Sequence, residues 1–152
     1  MSDELPQERD LEATRQWLSD RPLATSIGID FTELTPGRCV GEWRPDPEWL
    51  NPNGSLPGAM MAAFADHIAG SAALSTIGTH DYTATVELDM RFIRAAFKAP
   101  ITGVATIVRR GRRLAFISIE MRDPDDTLVA DGTALFFIES RLGKAHPVGL
   151  DL

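Results

Sequence analysis

A single cysteine, Cys39, leaves no partner for an internal disulfide, and with only three histidines to join it no recognisable structural zinc site can be assembled. Stability therefore has to come from packing. Positive charge is also short: 15 Lys and Arg stand against 22 Asp and Glu, and the resulting net charge of −7 opposes nonspecific binding to nucleic acid or to an anionic membrane. The only long apolar stretch carries Asp66 and His67 near its middle, so no membrane span is expected. The opening MSDELPQERD is acidic and has no apolar core, which does not read as a secretory leader, and a cytoplasmic location is the expectation. What remains is an ordinary globular composition, 43% apolar and 24% charged over 152 residues, a length that corresponds to one domain with a real core.

Periodicity and Gly/Pro punctuation organise the chain. Glu8 to Asp20 permits a peripheral helix, with Leu11, Trp17 and Leu18 as a weak apolar stripe that Arg21-Pro22 ends. From Ile27 to Trp43 the chain reads as two strands about the turn Thr35-Pro36-Gly37. A Pro-rich loop leads to Asn53-Gly54, and Gly58 to Ile77, built largely of alanine, predicts a helix. After Gly78 the period becomes two: Val86, Leu88, Met90 and Phe92 take the face that covers the helix, and Thr85, Glu87, Asp89 and Arg91 take the other. Three more strands are expected over Ile101 to Val108, Leu114 to Met121 and Leu128 to Ile138, separated by turns at Arg109 to Arg113 and Asp123 to Asp126, and Glu139 to Leu152 reads as a loose tail. Short turns between successive strands imply a mostly antiparallel sheet, and a helix apolar on nearly every side has to be covered by it. The expected class is α+β, about six strands curved around one long central helix.

The central helix carries one acid. At about 100° per residue, Ala59, Ala62, Ala63, Ala69, Gly70 and Ala73 cluster around Asp66, while Met61, Phe64 and Ile68 point the opposite way. One face is thus bulky and the other nearly bare except for a carboxylate, which leaves room for a ligand or another backbone. A carboxylate in such surroundings sheds hydration and gains basicity unless hydrogen-bond donors compensate, which suits a general base; the alternative is an Asp that faces solvent or caps a nearby loop. His67 projects about 100° away from Asp66 and cannot form a dyad with it, so a core-edge or subunit-contact role is expected.

The stretch Asn51-Pro-Asn-Gly-Ser-Leu-Pro-Gly-Ala-Met-Met-Ala-Ala-Phe-Ala-Asp-His-Ile-Ala-Gly70 resembles the hotdog-fold acyl-CoA thioesterases of the phenylacetate-pathway type, within the 4-hydroxybenzoyl-CoA thioesterase superfamily. Asn51, Gly54, Gly58 and Asp66 fall in register with that family's signature. The resemblance runs from Pro22 to Ile138 and includes the strand Thr85 to Arg94, the Arg-Gly-Arg hairpin and Leu128 to Thr133. It implies a hotdog domain over 22–139, with 1–21 as an N-terminal helical extension and 140–152 as a C-terminal tail. Two departures stand out: Pro57 replaces the family His and Ala59 the second Gly. Proline suits the start of a helix, so the backbone can survive the change although a histidine hydrogen bond cannot. The loss weighs against dehydratase chemistry, which uses that His.

The resemblance implies hydrolysis of an acyl or aryl thioester of CoA, with no cofactor beyond the CoA moiety of the substrate itself. The Gly58 amide would hold the carbonyl oxygen at the helix N-terminus, and Asp66 would activate water or attack directly as nucleophile. Asn51 would hold the carboxylate or the water, and Thr85 would orient the same water. Each has a plainer alternative, a local turn cap for Asn51 and a strand residue for Thr85. Gly54, Ala59 and Met60 fall among the substrate-contacting positions, and adaptable Met beside small Ala suits an apolar acyl pocket. Arg109, Arg110, Arg112 and Arg113 would meet the CoA phosphates, unless they merely form a solvated turn. The family's sites form between subunits, so a homodimer or a dimer of dimers is implied. A protein of this fold that binds acyl-CoA without turning it over is the alternative, motivated by Pro57.

Overall fold

A computed structural model describes residues 8–140; residues 1–7, and the expected tail beyond Ser140, lie outside the described residues. The chain begins with α1 (Leu11–Ser19), whose first turn is capped by the Asp10 carboxylate accepting from the Ala13 amide at 3.0 Å. A short second helix, α2 (Pro22–Ile27), follows where the sequence pattern had already placed a strand at Ile27. Gly28 ends it at φ 82°, and a Cβ there would sit 2.0 Å from the Arg44 carbonyl oxygen, so only glycine makes this exit. β1 (Ile29–Thr35) and β2 (Arg38–Trp43) then form the expected hairpin about Pro36-Gly37.

The central helix α3 (Gly58–Leu74) stops three residues short of Ile77 because the Ser75 hydroxyl turns back to the Ala72 carbonyl and also accepts from the Gly37 amide. Four long strands complete the sheet: β3 (Asp81–Phe92), β4 (Ile101–Arg110), β5 (Leu114–Arg122) and β6 (Leu128–Ser140). Glu139 and Ser140 belong to β6, where pairing with Tyr82 and Asp81 extends the ladder past the expected end at Ile138. All pairs are antiparallel, in the order β1-β2-β4-β5-β6-β3. This is the hotdog arrangement, one sheet of six strands around one helix. Among the described residues no helix is long and apolar enough to cross a membrane.

The bulky face of α3 is seated by two glycines. Gly41 and Gly103 are cross-strand partners on β2 and β4, and a Cβ on Gly103 would lie 2.7 Å from both Ile68 Cδ1 and Phe64 Cε1. Their missing side chains form the depression that Phe64 and Ile68 fill, and both are fully buried. Trp43 closes one side, its ring centroid 6.3 Å from that of Phe64 and its Nε1 donating to the Ile27 carbonyl at 2.8 Å.

β3 departs from simple alternation. Thr85 pairs with Phe136 but Glu87 with Leu135, so Val86 is an extra residue bulged out of the ladder. Val86 is consequently 57% exposed instead of covering the helix, and Thr85 turns to the helix side, the reverse of the expected assignment. β3 is also an edge strand. The other edge, β1, is overlaid by α1: Arg15 Nη1 donates to the Phe31 carbonyl at 2.6 Å and the Phe31 amide donates to Ser19 Oγ at 3.0 Å.

Candidate active site

The bare face expected on α3 exists but is narrower than the helical wheel suggests. Ala69 and Ala73 are buried against the sheet, leaving Ala59, Ala62, Ala63, Asp66, His67 and Gly70 exposed or half-buried. Gly70 lets the helix approach the sheet, since a Cβ there would lie 3.1 Å from Phe136 Cε1. Phe136 is the register partner of Thr85, so the same close approach brings Thr85 to the helix. The Thr85 hydroxyl donates to Asp66 Oδ1 at 2.7 Å. Among the described residues this hydroxyl is the one donor given to the carboxylate, and its other oxygen has no partner there, on a half-buried surface. Two of the sequence-predicted site residues are brought together in this way, and the bulge is the device that does it.

Gly58 begins the same helix. Pro57, at φ −69° and ψ 131°, accepts from the Met60 and Met61 amides through its carbonyl and supplies no side-chain cap. The backbone start therefore survives the loss of a histidine. Among the described residues the Gly58 and Ala59 amides are given to no acceptor, and such amides at a helix start favour an anionic oxygen. A Cβ on Gly58 would meet Phe92 Cε2 at 3.2 Å, so the ring at the end of β3 walls this position. Composition and period had assigned Phe92 only to the strand's covering face; its place beside Gly58 comes from the register of β3.

The remaining predicted residues separate. Asn51 Nδ2 donates to Ser55 Oγ at 3.1 Å and its amide to the Ser55 carbonyl at 2.9 Å, so its side chain is engaged within its own turn, beside Gly54 at φ 77°. Ala59 is exposed and Met60 half-buried on the first turn of α3. His67 Nδ1 lies 2.9 Å from the Ala63 carbonyl, an oxygen that only accepts, so Nδ1 carries a proton and is engaged with its own helix backbone.

The four arginines do not share one turn. Arg109 and Arg110 lie within β4, and strand alternation sends them to opposite faces: Arg109 pairs with exposed Phe116, Arg110 with buried Ala115. Arg110 Nε reaches Thr76 Oγ1, just past the end of α3, at 3.3 Å. Arg110, Arg112 and Arg113 line a cleft of about 320 Å³ together with Asp81 and Glu139, whereas Arg109 stands apart. Cys39 is no rival nucleophile, because burial pushes its thiol up to about 12.

A sequence pattern described as the thioesterase superfamily matches residues 53–130, just over half the chain. The chain is 27% identical over 114 residues to a Mycobacterium tuberculosis protein provisionally named an esterase, covering 73% of this chain and 81% of that one. It superimposes on AziG of S. sahachiroi with a TM-score of 0.74 at 26% identity, covering 79% of this chain and 98% of AziG. A Haemophilus influenzae thioesterase superimposes with a TM-score of 0.81 over 93% of this chain and 98% of its own, at 18% identity, a likeness of fold alone.

Proposed function

The chain belongs to the thioesterase superfamily, and from that membership we propose that it hydrolyses an acyl- or aryl-CoA thioester to the free acid and CoA. The carrying observation is the 2.7 Å bond from Thr85 to Asp66 on the open face of α3. A carboxylate held by one donor, with its second oxygen free, can take a proton from water as that water's oxygen attacks the thioester carbon. The carbonyl oxygen becomes an oxyanion facing the Gly58 amide; the C–S bond then breaks and the CoA sulfur leaves, to be protonated. Direct attack by Asp66 would instead form a mixed anhydride that water hydrolyses.

A single chain cannot run this sequence. Asp66 follows Gly58 by eight helical residues, a rise of roughly 12 Å at about 1.5 Å each, too far for one carbonyl group to meet both. The acid of one copy therefore works with the Gly58 amide of a second. Two features accommodate that copy: the thin face of α3, where backbones can approach closely, and the open edge of β3, twelve residues long. Thr85 acts by positioning. Thr85→Val is expected to lower kcat about tenfold, the scale of one hydrogen bond to a charged group, with KM unchanged in steady-state assays.

The cleft of Arg110, Arg112 and Arg113 supports CoA recognition, since guanidinium groups pair with phosphate and the cleft lies toward the C-terminal end of α3, reached through Thr76. Replacing both Arg112 and Arg113 by Ala is expected to raise KM for a CoA thioester about tenfold and to leave KM for a short thioester without the nucleotide unchanged. Free-thiol release measured across aliphatic and aromatic CoA thioesters tests the whole reading. Turnover of at least one is expected; tight binding of several with no turnover would establish a non-catalytic acyl-CoA binder, the reading that Pro57 motivates.

A further inference from the structure

The N-terminal segment reaches the far end of α3 through one side chain that the hydrolase reading does not use. Arg9 precedes α1, yet its Nε donates to the Ile77 carbonyl at 3.3 Å and its Nη2 to the Gly78 carbonyl at 2.9 Å, 68 and 69 residues away. The last turn of α3 has no basic residue of its own. Arg9 thus brings a cation to the negative pole of the central helix from a distant part of the chain. Around it Glu8, Leu11, Pro36 and residues 75–78 line an open hollow of about 420 Å³.

The same turn borders the arginine cleft. The Gly78 carbonyl also accepts from the Asp81 amide at 3.1 Å, so Arg9 and Asp81 converge on one oxygen. On the other side Arg110 Nε reaches Thr76 Oγ1 at 3.3 Å, and that hydroxyl donates to the Ala73 carbonyl at 2.8 Å. The turn after α3 is therefore held between two guanidinium groups, one from the N-terminal segment and one from β4. Asp81 lines the cleft with Arg110, Arg112 and Arg113, yet among the described residues it forms an ion pair with none of them. Partial burial opposes the charge on Arg9, and the nearby Asp81 carboxylate favours it.

Resting on the reading of that cleft as the CoA site, we propose that Arg9 is a positioning residue for phosphate recognition. It holds the turn at residues 77–81 and offsets the charge of Asp81, which leaves the three arginines of the cleft for the anion. Without Arg9, the carboxylate would repel an incoming phosphate and compete for the guanidinium groups that bind it. Arg9 acts through Asp81 and touches no reacting atom, so its effect falls on binding and not on kcat.

Calorimetric titration of the full-length protein with CoA tests this. Arg9→Gln keeps an N–H for a carbonyl and drops the charge, and a melting curve checks its folding. It is expected to weaken CoA binding at least about fivefold, the lower end of coupling between two sites, and to raise KM for a CoA thioester with kcat unchanged. A short thioester without the nucleotide should show no change in KM. Arg9→Lys retains the charge and should recover most of the affinity. Adding Asp81→Asn to Arg9→Gln should also restore binding, because a neutral amide neither repels phosphate nor competes for arginine. A merely structural clamp would gain nothing from Asp81→Asn. A folded Arg9→Gln variant that binds CoA like wild type overturns the proposal, and so does a double variant that binds as weakly as Arg9→Gln; either result leaves the hydrolase reading standing. Wild-type protein that hydrolyses a short thioester yet binds no CoA would overturn the cleft as a CoA site and this inference with it.

Discussion

Asp66→Asn lowers kcat for the best thioester by at least about 100-fold, the range lost when a general base is removed, and changes KM little. Asparagine keeps the size of the side chain and an oxygen to accept from Thr85, which lies 2.7 Å from Asp66 Oδ1. It lacks the charge and the basic lone pair that take a proton from water. The substitution therefore isolates chemistry from architecture. The carboxylate is half-buried on a face of small residues with one hydroxyl donor, so a neutral amide in its place is tolerated and the melting temperature holds or rises. Rate measurements beside a melting curve decide the matter: a variant that melts like wild type and hydrolyses within tenfold of it would remove Asp66 from the reaction.

That Asp66 could be found at all from the sequence has a simple cause. A carboxylate inside an alanine-rich helix conflicts with its surroundings, and such conflicts survive translation into three dimensions. The Pro36-Gly37 turn, the change of period after Gly78 and the order of the four long strands were legible for a similar reason, because each is set by neighbours along the chain. What the sequence concealed depends on pairing between distant strands. Alternation put Thr85 on the far side from the helix, and only the register of β3 against β6 reveals the bulge at Val86 that turns it inward. Alternation likewise contained the split between Arg109 and Arg110, but four arginines in five positions invited a single anion site. The signal for the helix seat was present as glycines inside two strand patterns, at Gly41 and Gly103, and its meaning needed the fact that these two are partners.

Phe64→Ala carries the largest expected cost in stability, about 3–5 kcal/mol, out of a total of roughly 5–15 kcal/mol for a domain of this kind. Phe64 is completely buried, packs at 6.3 Å between centroids on Trp43, and fills a depression that exists because residues 41 and 103 have no side chains. Its removal leaves a cavity that the glycines cannot fill. The melting temperature should fall on the order of 10 °C, and urea unfolding followed by tryptophan fluorescence should show the same loss, since Trp43 forms one wall. The complementary substitution tests the seat from below. Gly103→Ala places a methyl 2.7 Å from Phe64 Cε1 and is expected to cost about 1–3 kcal/mol by overpacking. In a Phe64→Leu background the ring atoms that it strikes are gone, so its cost should shrink by more than about 0.5 kcal/mol, beyond the scatter of independent sites. Ile68 Cδ1 stays 2.7 Å away and keeps the relief incomplete. Equal costs in the two backgrounds would mean that helix and sheet meet here without the interlock of ring and glycine, and that the height of α3 over the sheet, with Asp66 upon it, is set elsewhere.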